Sequence, residues 1–303
     1  MSNYWSQYWR QGHLTSFGDD IKDNYVGTLK NVWSEVFSAL NKDDRVIDIA
    51  TGNGALVGLI YDAVRQDNLP YIDAIDLAKI QIKEPLLNKS EQTHFAGGIN
   101  CEQLPFTDNS ANLIISQFGI EYSNLKKSLA EVARVLAETG QAQFICHHHD
   151  SIIVKPNLAI LMMSLELQSK SGGMSIVKRL LAELDKTGKG SPKSENWRNK
   201  LNKYMEKLLK TDKNSFMATN FHLFVKAVLQ NQAKQSEIIN GFEQELKGSI
   251  ARLTDLANAA ISKVEQSKVS SLCKQNHLTI VDFSAVVDDQ NNILAWKILL
   301  TKA

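Results

Sequence analysis

Residues 45–54, Arg-Val-Ile-Asp-Ile-Ala-Thr-Gly-Asn-Gly, constrain this chain more than any other stretch. Val46, Ile47 and Ile49 around Asp48 read as a buried parallel strand, and residues 55–60 open a helix directly after the glycine turn. Gly52 and Gly54 let the backbone turn tightly and a ligand approach with no Cβ in the way. The helix N-terminus beyond them offers free N–H groups and a partial positive charge, which suit a carboxylate or phosphate. The stretch predicts the first βα unit of a nucleotide-type α/β fold.

The alternation continues downstream. Residues 71–76, 93–97, 112–117 and 142–147 read as further strands, and 124–137 as a helix with Leu125, Leu129, Val132 and Leu136 on one face. From 155 to 274 the strand signal disappears. Residues 157–170, 174–187, 195–211, 216–231 and 233–266 read as helices, the last with Ile239, Phe242, Leu246, Ile250, Leu253, Leu256, Ala260 and Val264 in one stripe. Strands return at 277–287 and 292–301, with 288–292 as a hairpin turn. Upstream, 24–40 reads as an amphipathic helix carrying Val26, Leu29, Val32 or Trp33, Val36, Phe37 and Leu40. The aromatics Tyr4, Trp5, Tyr8, Trp9 and Phe17 read either as a cover for the core edge or as a lid over a ligand pocket.

A 303-residue chain makes one large domain or two small ones. The expectation is a ligand-binding domain of residues 1–154 and 275–303, with 1–40 as a helical lid, and a helical cap of 155–274. Residues 157–275 hold 19 Lys/Arg against 11 Asp/Glu, a net +8, and the remainder 15 against 22, a net −7. That excess reads as solvated helix faces or as attraction to an anionic substrate or surface. Three scattered cysteines without metal spacing suggest free thiols in a reducing cytosol. The N-terminal residues lack the pattern of a signal peptide. The longest apolar run, 158–167, is too short to span a bilayer and is broken by Ser164 and Glu166. The expected location is cytoplasmic.

In open α/β sheets, ligands bind beyond the carboxyl ends of the strands. One crevice should therefore gather the 50–54 turn, Asp76, Asn100, Cys101, residues 117–122 and the end of strand five. Asp76 closes strand two, where a carboxylate can accept both hydroxyls of a ribose.

Three segments together resemble class I S-adenosylmethionine-dependent methyltransferases, in particular relatives of the ubiquinone and menaquinone methyltransferases. They are 46–54 (acid-x-Gly-x-Gly-x-Gly, with Ala50 at the first glycine), 100–112 (with Asn100 and Asn112 where Asp is usual) and 129–136 followed by Gly140. The resemblance covers about 40–150 and resumes at 277–303. It implies a Rossmann-like seven-stranded methyltransferase sheet with an antiparallel last strand, here with an all-helical insertion between strands five and six. It also implies S-adenosyl-L-methionine as cofactor. Asp48, Ala50, Thr51, Gly52, Asn53 and Gly54 would hold its methionine end, Asp76 its ribose and Leu77 its adenine. Asn100, Cys101 and Glu102 would meet the adenine edge, and Gln117 and Phe118 the sulfonium. Asp48 could equally cap the nearby helix. A dinucleotide-binding dehydrogenase is the rival, but its third glycine or alanine is Val57 here, and it gives no reason for an acid at 48.

Methyl transfer from a sulfonium needs alignment and exclusion of water, and a base only where the acceptor must lose a proton. His147, His148, Glu121 and Tyr122 are the candidates. Alternation puts His147 and His149 on one strand face and His148 on the other, which argues against a shared metal. Glu121 could instead cap the helix near Asn124. Glu131 and Arg134, three apart, read as a structural ion pair. In the insertion, Tyr204, Met205, Leu208, Phe216, Met217, Phe221 and Phe224 could line a pocket, although core packing is the default. Residues 186–213 are basic but hold only Trp197 and Tyr204 as aromatics, which argues against nucleic acid. The expected substrate is a small or medium-sized molecule, anionic or lipid-like, methylated at O, N or C. An RNA methyltransferase and a cofactor-binding protein without turnover are the alternatives. The oligomeric state is not legible.

Overall fold

The computed structural model describes residues 3–16, 23–83, 86 and 89–303. Phe17, one of the N-terminal aromatics, lies outside the described residues. The chain forms two compact units, Met1–Val154 with Leu256–Ala303, and Lys155–Asp255.

The first unit is built on seven strands: β1 Arg45–Ile49, β2 Tyr71–Asp76, β3 Thr93–Gly97, β4 Ala111–Gln117, β5 Leu136–His147, β6 Leu278–Val287 and β7 Ile293–Lys302. Their order is β3-β2-β1-β4-β5-β7-β6. The first five pair in parallel, and β7 runs antiparallel to both β5 and β6. This is the expected Rossmann-like sheet with its antiparallel end, and helices alone separate β5 from β6.

Helices α1 Asn3–Arg10, α2 Thr28–Asn31, α3 Ser34–Ser38, α4 Ala55–Ala63 and α5 Leu125–Val135 precede the insertion. Strand residues divide by parity, as a pleated sheet requires. Val46, Ile72, Ala74, Leu113 and Ile115 pack with Trp33, Phe37, Leu56 and Ile60 in one core. Ile47, Ile49, Ile75, Ile114 and Phe144 pack with Leu129, Val132, Val269 and Cys273 in a second. Each buried Val, Leu, Ile or Phe among them contributes about 1.5–3 kcal/mol of transfer free energy. The half-buried pair Glu131–Arg134 (2.7 Å) reaches the Leu104 and Phe106 carbonyls, which pins the loop between β3 and β4.

The remaining helices are α6 Val154–Gln168, α7 Gly173–Thr187, α8 Pro192–Thr211, α9 Lys213–Ala218, α10 Phe221–Gln230, α11 Gln235–Ala259 and α12 Lys263–Gln275. The second unit has its own core, in which Phe216, Phe221, Phe224, Phe242 and Leu208 are buried; Tyr204 and Met205 pack on it, and Met217 is exposed. Among the described residues no helix is long and apolar enough to cross a membrane.

Four expectations shift. The 24–40 helix is two short ones, because Gly27 adopts φ 56° and blocks an earlier start; Val26 is exposed and Tyr25 is buried instead. The 216–231 helix breaks at Asn220, whose backbone is left-handed at φ 55°. The 233–266 helix ends at Ala259, since Ile261 pairs with His148 and Ser262 starts a new helix with a capping box to Glu265. Val264 is therefore exposed rather than part of the apolar stripe. The division between units falls at Asp255 rather than 274, with α12 packed beside α5 and β6.

Candidate active site

The turn after β1 is held open by three left-handed residues, Ala50 (φ 57°), Gly52 (φ 56°) and Gly54 (φ 86°). Thr51 N–H donates to the Ile75 carbonyl at 2.9 Å, which locks this turn to the end of β2. The turn after β4 approaches it closely. A Cβ on Gly119 would stand 2.4 Å from the Ala50 Cβ, so only glycine fits there.

Two carboxylates end these strands. Asp48 is buried; its Oδ2 accepts the Thr51 hydroxyl at 2.6 Å, and its Oδ1 has no hydrogen-bond partner. Asp76 accepts the Ala78 N–H on Oδ1 (2.7 Å) and the Gly52 N–H on Oδ2 (2.9 Å). Burial pushes the Asp48 carboxyl up to about 7, against the Thr51 hydrogen bond and aided by Asp76. Burial also raises Asp76, opposed by its two backbone donors. A buried carboxylate with a free oxygen is costly unless a cation or donor meets it.

Both acids line a cavity of about 400 Å³. Ala50, Thr51, Leu77, Asn100, Cys101, Gln117, Phe118 and Tyr122 share its wall, together with Trp5, Ser6, Trp9, Leu14, Thr15, Ser16 and Tyr25. The Gln117 amide oxygen accepts the Trp33 indole N–H, and its amide lies beside the buried Tyr25 phenol, whose pKa burial raises. Cys101 Sγ lies 3.6 Å from the Ser128 hydroxyl, and burial raises that thiol.

Other residues expected at the site lie off this wall, although the same strand ends carry them. Gly52 is covered by the Trp9 ring. The Gly54 N–H closes the turn onto the Thr51 carbonyl. Asn53 turns its side chain to the backbone of Trp9, His13 and Gln81. Glu102 points to α5, accepting the Asn124 N–H at 3.0 Å and pairing with Lys127 at 3.4 Å, so it, rather than Glu121, holds that helix start. Glu121 is buried and accepts from both His147 Nδ1 (2.8 Å) and the His147 backbone N–H (2.9 Å). The His147 ring packs against Phe118 and Tyr122, at 4.4 and 5.7 Å between ring centres, behind the cavity wall. His148 stacks on Trp296 at 4.2 Å, and its Nδ1 accepts the Asp150 N–H. Of the four catalytic candidates, Tyr122 is the one on the wall. Among the described residues no group of three His, Cys, Asp or Glu is placed to hold a metal ion.

Thr15, Ser16 and Tyr25 were not legible as wall residues. Gly27, two residues after Tyr25, was the available signal, because a glycine there ends the amphipathic pattern and frees Tyr25 to turn inward.

Residues 47–144 match a family model described as a methyltransferase domain. A ubiquinone/menaquinone biosynthesis C-methyltransferase of Xanthomonas campestris pv. campestris is 28% identical over 123 residues, which is 39% of this chain and 49% of the relative. A protein of the same description from Francisella tularensis subsp. novicida is 32% identical over 111 residues, 34% of this chain and 43% of the relative. The chain thus spans about half the length of the curated relatives it matches. A solved methyltransferase structure from Aquifex aeolicus, described as SAM dependent, aligns with 90% of this chain and 89% of its own at 11% identity, with a TM-score of 0.42.

Proposed function

We propose that this chain, which carries a class I S-adenosylmethionine-dependent methyltransferase domain, transfers a methyl group to a small uncharged acceptor. The observation that carries the reading is that buried Asp48, one of whose oxygens has no partner, lines the same cavity as Asp76. The cofactor supplies a methyl carbon already activated by a positive sulfur. Asp48 would take its ammonium group, and the two hydroxyls of its ribose would reach Asp76, whose oxygens keep lone pairs beyond their two backbone bonds. Leu77, Asn100 and Cys101 would border the base, and Gln117 and Phe118 the sulfonium.

The acceptor would sit against Trp5, Trp9, Tyr25, Phe118 and Tyr122. This wall favours a planar or apolar molecule and keeps water from the reacting carbon. The titratable acids among the described wall residues are Asp48 and Asp76, and no Lys, Arg or His stands with them. That balance supports a neutral acceptor over an anionic one. The relatives named as C-methyltransferases of quinone biosynthesis support an aromatic acceptor. Tyr122 could orient it by hydrogen bonding, with His147 and Glu121 fixing the ring behind it. Three free cysteines support a reducing, cytosolic setting.

Titration calorimetry with S-adenosylhomocysteine tests the reading. Binding in the micromolar range is expected, weakened about 100-fold by Asp76→Ala. Tight binding of a nicotinamide dinucleotide with no heat from the homocysteine nucleoside overturns it.

A further inference from the structure

Asn53 stands between the two glycines of the β1 turn, yet its side chain is committed to the N-terminal segment. It is buried. Its amide nitrogen donates to the Trp9 carbonyl at 2.9 Å and to the His13 carbonyl at 2.7 Å, and its amide oxygen accepts the Gln81 N–H at 2.8 Å. One side chain therefore joins the end of α1, the turn beyond it and the segment after β2. A second tie runs alongside, from the Lys79 N–H to the Ser6 hydroxyl at 3.0 Å.

Helix α1 has eight residues, too few to persist in water without outside support. Its Trp9 ring lies so close to Gly52 that a Cβ there would stand 2.7 Å from ring carbons. Its Trp5 ring meets Tyr122 edge-on at 5.7 Å, and Trp5, Ser6 and Trp9 all line the cavity. The helix is thus part of the wall, and its attachment runs through the turn at the bottom of that wall.

We propose that Asn53 is a positioning residue that latches α1 over the cavity, so that the cofactor enters and its demethylated product leaves only when the latch opens. The same closure brings Trp5 and Trp9 into the acceptor wall, so acceptor binding follows cofactor binding. The gate rests on reading the cavity as a cofactor site; the latch itself does not. Each hydrogen bond of this kind shifts an opening equilibrium roughly 2- to 12-fold.

Asn53→Asp tests it, because the variant keeps an oxygen for the Gln81 N–H and loses the donations to the Trp9 and His13 carbonyls. Ser6→Ala removes the second tie without touching the glycine turn. Amide hydrogen exchange of the unliganded chain should accelerate across residues 3–16, about tenfold or more in Asn53→Asp and about threefold in Ser6→Ala. Stopped-flow tryptophan fluorescence should show S-adenosylhomocysteine associating and dissociating faster, by similar factors. Faster dissociation with unchanged association is the mark of a damaged binding turn and overturns the gate, as does faster exchange with unchanged release. Exchange at 3–16 equal to the parent in both variants overturns the latch. A parent chain with no affinity for the nucleoside removes the cofactor reading and the gate with it, while the exchange data still decide the latch.

Discussion

Asp48 at the end of β1 and Glu121 just after β4 are both buried acids near the same sheet edge, and each keeps one oxygen without a hydrogen-bond partner, but Asp48 lines the cavity and Glu121 does not. Glu121 faces His147, which supplies a ring N–H and a backbone N–H to one oxygen, with the Cys146 thiol near enough that the carboxylate helps burial raise it. Asp48, a residue of the cavity wall, has one hydroxyl on one oxygen and no partner on the other. Burial of a charge therefore does not mark the binding site here. The mark is a lone pair that the protein leaves unspent where a ligand can reach it. Of the histidine run, which drew attention in the sequence, His147 holds β5 to the turn after β4 and His148 stacks on Trp296.

The sharpest way to break this contrast is His147→Ala. If Glu121 and His147 are a closed pair, removing the imidazole strands a buried acid and costs about 3–5 kcal/mol in urea unfolding, while affinity for S-adenosylhomocysteine in the folded variant changes little. Loss of binding with unchanged stability would place His147 in the site. Asp76→Ala should do the reverse. It removes the acceptor for two hydroxyls, so affinity should fall about 100-fold by calorimetry, with a smaller change in unfolding midpoint.

The third test uses protons. Asp48 is raised from its ordinary 3.8 to about 7, so in the unliganded chain it binds more protons folded than unfolded between those values. Its contribution therefore lowers stability as pH rises from about 4 to about 7, and the cost is absent below and fully present above that window. A ligand ammonium selects the ionised form, so affinity should weaken by up to about tenfold per pH unit below 7 and level off above it. Asp48→Asn should flatten that profile in calorimetry run from pH 5.5 to 8. The smallest effect expected is from Ala50→Gly. Ala50 carries a Cβ at φ 57°, and removing it should stabilise the chain by roughly 1 kcal/mol in thermal unfolding.

The sheet was legible because its strands are near-continuous apolar runs bounded by turn residues. Asp48 and Asp76 were legible because a parallel sheet delivers its strand ends to one edge. Backbone punctuation was harder to read. Gly27, Asn220 and the Ser262–Glu265 capping box each ended or started a helix that apolar periodicity alone carried through. That box stood in the sequence as Ser-Lys-Val-Glu, and only the stronger-looking stripe across it hid the break. Side-chain direction in loops was the other gap. Asn53 and Glu102 occupy positions next to the ligand in the family pattern, but short polar side chains in turns find backbone partners that no spacing rule anticipates.

The chain leaves β5 for its helical excursion and comes back beside its own point of departure. Ile261 N–H donates to the His147 carbonyl at 2.8 Å, its carbonyl accepts the His149 N–H at 3.0 Å, and the Trp296 indole closes on that carbonyl at 2.9 Å. Departure and return are thus sewn together by bonds whose partners lie outside residues 155–255. Such an anchor would let the segment be exchanged. A short linker, or a different domain of like end-to-end spacing, could replace it while the sheet keeps its register.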